Sequence, residues 1–108
     1  MNEIAAQSGV AIEIAESALP VRNEVRAACE LLGFDPLYIA NEGKLVAAVP
    51  PNAVEAVLAA MRASPQGGDA RIIGEVVHGF PGRVTLRTNI GATRVMEMLT
   101  GELLPRIC

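Results

Sequence analysis

A chain of 108 residues with a net charge of −3, 51% hydrophobic residues and only 3% aromatics has material for one modest aliphatic core, and it carries no basic, aromatic-rich footprint for nucleic acid. Its two cysteines are too few for a disulfide framework and fit a reducing, cytoplasmic setting. The acidic opening MNEIAAQSGVAIEIAES lacks a positive n-region, and no apolar run approaches about 18 residues, so neither a secretory signal nor a membrane span is expected.

The first regular element is expected at Gly9–Glu16, where Ala11, Ile12, Glu13 and Ile14 alternate well enough for a strand that ends by Leu19-Pro20. From Val21 the period changes. Val25, Cys29 and Leu32 share one helical face with Ala28 beside them, charged residues take the other side, and Gly33 supplies the left-handed stop. Two short strands, Leu37–Ala40 and Lys44–Val49, are expected around a turn at Asn41-Glu42-Gly43. Pro50-Pro51-Asn52 opens a second helix whose stripe is Val54, Val57, Leu58 and Met61. A loop follows at Ser64–Asp69, then strands at Arg71–Val77 and Arg83–Thr88 joined by HGFPG as a hairpin connection. Thr93–Leu99 leans towards a further strand. The sum is an α+β domain over residues 1–100: two amphipathic helices on one face of a five- to six-stranded mixed or antiparallel sheet. Residues 101–108 show no period and are expected to form a mobile tail.

Few side chains point to chemistry. There is no dinucleotide fingerprint and no phosphate loop, and one histidine with two distant cysteines makes no zinc set. His78, in the HGFPG connection, reads as a solvated loop residue, and Cys29 on the apolar helix face reads as a small buried hydrophobe. Cys108 is different, being the last residue of the sequence. Extended from Thr100, it reaches about 25–30 Å, so its thiol either carries a group between sites or sits there by chance. Arg106 favours the thiolate and the neighbouring α-carboxylate opposes it. In NEGK, Asn41 and Gly43 suit a tight turn with Glu42 and Lys44 solvated, or else Glu42 is a general base at a strand end.

The stretches SGVAIEIAESALPV, CELLGFDPLYIANEGKLVAAV, IGEVV and the closing LPRIC resemble the carboxy-terminal part of the carbamoyl dehydratases of NiFe-hydrogenase maturation, the HypE family. That family lies in the superfamily of aminoimidazole ribonucleotide synthetase and selenophosphate synthetase. The resemblance runs from about Asn2 to Cys108. It implies that a carbamoyltransferase, HypF, loads a carbamoyl group onto Cys108, with Pro105, Arg106 and Ile107 completing the tail motif. ATP, with magnesium, then phosphorylates the carboxamide oxygen, and loss of phosphate leaves a thiocyanate. Its cyanide goes to iron on a HypC–HypD scaffold. Glu42 is the base the family motif implies, with Asn41 positioning it. The resemblance also implies a homodimer at full length and an amino-terminal domain, preceding this stretch, that holds most of the ATP site. Residues 1–108 alone are therefore not expected to bind ATP tightly or to dehydrate the carrier. Ala92 departs from the pattern, standing where the family commonly has a second glycine after Gly91.

A rival expectation belongs to another class. A non-catalytic α+β regulatory or partner-docking module with an incidental Cys108 would bind its partner equally well after deletion of residues 102–108.

Overall fold

A computed structural model of the chain describes residues 1–98. Their order is helix α1 (Asn2–Ser8), strand β1 (Ala11–Ala15), helices α2 (Asn23–Leu32) and α3 (Val54–Ala63), then strands β2 (Gly74–Val77), β3 (Val84–Arg87) and β4 (Thr93–Val95). The described residues form two compact units, one built from 1–19 with 71–98 and the other from 20–70. The architecture is α+β, as expected.

The first unit is the sheet. Its order is β2-β1-β3-β4, so β1 is internal, antiparallel to β2 and parallel to β3, while β3 and β4 run antiparallel. The AIEIA alternation explains the two faces of β1. Ile14 lies beside Leu86 in the ladder and Ile12 beside Val84. Ile14, Val84 and Leu86 are buried, the last with 1% of its surface exposed. On the opposite face Glu13 stands beside Glu75 and Thr85, with Arg87 one step along. The Arg87–Glu13 ion pair, 3.8 Å and well exposed, adds little stability. Gly74 is glycine for a packing reason, since a Cβ there would collide with the Glu13 carbonyl oxygen.

Because Leu86 is the most buried large side chain, Leu86→Ala is expected to lower unfolding free energy by about 2–5 kcal/mol. Chemical denaturation followed by circular dichroism checks this, and a loss below about 1 kcal/mol would contradict the core assignment.

Four expectations need correction. The HGFPG segment is not a hairpin connection, because β1 lies between β2 and β3. The segment instead passes the start of β1, where Gly82 donates its N–H to Val10 and Ile12 donates to Arg83, at 2.8 and 2.9 Å. Reversal-competent glycines and proline serve either connection equally well, which is why the two look alike in sequence. The strand at Leu37–Ala40 is replaced by a 3-10 turn, Pro36–Tyr38, because the Asp35 carboxylate caps it by accepting from the Leu37 N–H at 2.9 Å. Among the described residues Lys44–Val49 joins no ladder either, and the sheet has four strands rather than five or six. A strand is defined by its partner, and the intended partner was consumed by the Asp35 turn. The strand leaning at Thr93–Leu99 is shorter than expected, ending at Val95, and Leu99 itself lies outside the described residues.

The second unit holds α2 and α3 as expected. Helix α2 ends at Gly33, in the left-handed region at φ 69°, and Phe34 closes the turn by donating to the Cys29 carbonyl at 2.8 Å. Of its expected stripe, Cys29 is buried, whereas Val25 and Leu32 are exposed. Helix α3 follows a 3-10 turn at Pro51–Ala53, and Val54, Val57, Leu58 and Met61 are all half-buried. Its end is tied to the expected loop: the Ser64 hydroxyl donates to the Met61 carbonyl at 2.7 Å, and the Arg62 Nε donates to Ala70 at 2.9 Å.

Candidate functional site

The NEGK motif sits in the second unit, between the Asp35-capped turn and the 3-10 turn that opens α3. Gly43 adopts φ 74°, the left-handed conformation a side chain resists, and this turns the chain immediately after Glu42. Asn41, Glu42, Gly43 and Lys44 are all exposed. The loop therefore presents a carboxamide, a carboxylate and an ammonium group to the outside, with Glu42 in no hydrogen bond or ion pair to another described residue. Such a carboxylate is available to accept a proton from an incoming group. Of the expected site residues, the structure brings Asn41 and Glu42 together, as sequence neighbours on one exposed turn. Pro105, Arg106, Ile107 and Cys108 lie outside the described residues.

The residues expected to be inert look so. Cys29 is 3% exposed inside its unit, and His78 is exposed in the loop after β2. Among the described residues, no group of three or more His, Cys, Asp or Glu side chains is placed to hold a metal ion. The magnesium implied by the resemblance thus finds no ligand set in residues 1–98, and no step is routed through it. No helix of the described residues is long and apolar enough to cross a membrane.

Two features of the sheet unit escape a reading of sequence alone. A shallow cleft of about 220 Å³ is lined by Glu13, Glu75 and Arg87 together with Ala15, Ile72 and Ile73. The other is a contact between positions 73 residues apart: the Glu16 carboxylate accepts from the Asn89 N–H at 2.8 Å. Both depend on the strand order, for which local periodicity holds no signal.

Comparison with known proteins agrees with the architecture. Residues 1–87 match the family described as AIR synthase related protein, C-terminal domain. The chain is 55% identical over its full 108 residues to carbamoyl dehydratase HypE of Azotobacter vinelandii, of which it covers 32%. A crystal structure of hydrogenase maturation protein HypE in complex with ATP is similar with a TM-score of 0.89 and 46% identity, covering 99% of this chain and 33% of that one. A crystal structure of a HypE–HypF complex is similar over 89% of this chain and 31% of that one, with a TM-score of 0.81 and 43% identity. The chain thus spans about a third of the length of the curated relatives it matches. On a family match that takes in most of its residues, the chain belongs to the AIR synthase related protein C-terminal domain family, and within that family it stands beside the HypE hydrogenase maturation proteins.

Proposed function

We propose that this chain is the thiol-bearing portion of an ATP-dependent carbamoyl dehydratase that makes the cyanide ligand of a NiFe-hydrogenase. The observation that carries the reading is the likeness to carbamoyl dehydratase HypE along all 108 residues at 55% identity. The exposed NEGK turn supports it from the side of chemistry, because it offers a carboxylate with no partner among the described residues.

The reaction divides into steps this chain's residues can serve. Carbamoyl transfer forms a bond from the Cys108 sulfur to the carbamoyl carbon and breaks the bond from that carbon to the oxygen of the activated donor, which departs as the leaving group while the thiol proton is lost. A structure of a HypE–HypF complex supports HypF as the donor. The carboxamide oxygen next attacks the γ-phosphorus of ATP, ADP departs, and one N–H proton is removed. Cleavage of the carbon–oxygen bond expels phosphate while the second N–H proton leaves, and the carbon–nitrogen bond becomes triple. Oxygen thus ends in phosphate, and the products are thiocyanate, ADP and protons. Glu42 is assigned the removal of an amide proton, and Asn41 orients it through its carboxamide. A HypE–ATP structure supports ATP as the phosphoryl donor, and we assign its site to the two thirds of the enzyme outside this chain.

Passage of cyanide to iron on a HypC–HypD scaffold requires two electrons, since sulfur leaves as thiolate and carbon as cyanide; we assign their supply to the acceptor side. We further assign a homodimer to the complete enzyme and a cytoplasmic location, where a free thiol stays reduced. The test is conversion of the Cys108 adduct in the complete dehydratase. After loading by the transferase with carbamoyl phosphate, addition of ATP should convert the carbamoyl adduct to one lighter by a single water, localised to the peptide ending in Cys108.

A further inference from the structure

We infer that the outer edge of β2 is a docking strand: an extended segment of the longer dehydratase pairs with it and sets a lysine or arginine beside Glu75. The inference rests on the assignment of this chain to that enzyme, not on the chemistry at Cys108.

Among the described residues β2 has β1 as its one neighbour in the sheet. The Ala15 N–H donates to the Ile73 carbonyl at 2.9 Å, and in the same register Glu75 and Val77 stand opposite Glu13 and Ala11. Bonding alternates along an antiparallel pair, so these odd-numbered residues turn their backbone groups to β1, and Gly74 and Val76 turn theirs outward. No described residue bonds those outward groups, and Gly74, Glu75 and Val76 are all exposed. Folded proteins blunt such an edge with lysine, proline, a bulge or a covering segment. The strand GEVV has no lysine or proline, and its register with β1 runs without a bulge. A covering segment is the protection left.

The side chains say what kind of segment fits. Val76 and Ile72 leave 56% and 54% of their surfaces uncovered, which suits aliphatic neighbours on an added strand. On the cleft face Glu75 stands directly opposite Glu13, and like charges so placed repel. Arg87 pairs with Glu13 at 3.8 Å, while Glu75 has no partner among the described residues. Two carboxylates against one guanidinium leave the row one positive charge short, and a cation on the open side of Glu75 supplies it. The cleft makes room for its stem, with Ile72 and Ile73 in the wall beside Glu75. Lysine and arginine both lay their methylene groups along apolar surface of this kind. The chain covers 32% of the Azotobacter vinelandii relative, so most of such an enzyme lies outside it. A segment joined to the same polypeptide also meets this edge at a higher effective concentration than a separate molecule does.

Amide hydrogen exchange of the complete dehydratase, resolved to single residues by mass spectrometry, provides the test. It needs no turnover, so it reads the same whether or not Cys108 proves to be the carrier. The Gly74 and Val76 amides are expected to exchange about 100-fold or more slowly than unpaired amides. Glu75→Lys should remove about tenfold of that protection while β1 stays as protected as in the parent. Glu75→Gln, neutral and of the same size, should keep most of it. Unprotected Gly74 and Val76 amides would overturn the inference, as would protection indifferent to Glu75→Lys or lost equally from β1. Protection that vanishes on dilution, that appears only with the transferase, or that is lost when residues 102–108 are removed would also overturn it. Those results would give the edge to a second copy, to a separate partner or to the chain's own end.

Discussion

Cys108→Ala is expected to leave the enzyme with no detectable carbamoyl or cyano adduct after incubation with the transferase, carbamoyl phosphate and ATP. The change removes the only atom to which the proposed chemistry attaches substrate, so the loss should be complete rather than graded. Cys29 offers no substitute, being buried with 3% of its surface exposed on the inner side of α2. Its thiol would have to leave that environment to meet a transferase, whereas reactive cysteines sit in partly exposed settings. Cys29→Ala should accordingly load as well as the parent protein. Intact-protein mass spectrometry beside a denaturation curve separates lost chemistry from lost fold. An adduct surviving in Cys108→Ala would remove the basis of the carrier assignment.

Glu42→Gln should block the pathway one step later. The amide keeps the size and hydrogen-bonding reach of the carboxylate but cannot accept the carboxamide proton. Loading on Cys108 is expected to proceed, the carbamoyl form to accumulate, and conversion to slow by about 100-fold to 10,000-fold, the usual contribution of a positioned general base. Glu42 is exposed and has no partner among the described residues, so the change should leave stability within about 0.5 kcal/mol. Rapid-quench measurement of the loaded and dehydrated species at saturating ATP tests this. Undiminished conversion would return Glu42 to the role of a solvated turn residue, which its neighbours Asn41 and Gly43 also suit.

The two longer helices are legible in the sequence because each carries its own punctuation. Gly33 stops α2, and the Pro50-Pro51 pair introduces the turn that opens α3. Strand β1 is legible because five residues alternate over a central Glu13. Helix α1 is not, since its seven residues have no side-chain cap at Met1, and a helix that short is not stable from propensity alone. The order β2-β1-β3 is hidden for a different reason. Antiparallel β2 and parallel β3 flank the same strand, and neither pairing leaves a trace in the period of either strand. At Leu37 and Tyr38 an apolar run looks like a strand, but the Asp35 side chain captures a backbone N–H first.

The candidate site divides similarly. Asn41 and Glu42 are visible as an exposed polar turn because Gly43 marks the reversal, yet a turn and a catalytic loop share that grammar. The assignment of Glu42 to proton removal came from resemblance rather than spacing. The Glu16–Asn89 contact leaves no trace in the sequence, because only the sheet brings Asn89 to that carboxylate.

The central claim is that Cys108 carries the carbon that becomes cyanide. The most direct measurement is tandem mass spectrometry of the peptide ending in Cys108, taken before and after ATP is added to the transferase-loaded dehydratase. The account predicts a carbamoyl group on Cys108 before ATP and, after it, a cyano group at the same sulfur with one water lost. A carbamoyl adduct that persists unchanged with ATP present, or a cyano group on any other residue, would contradict it.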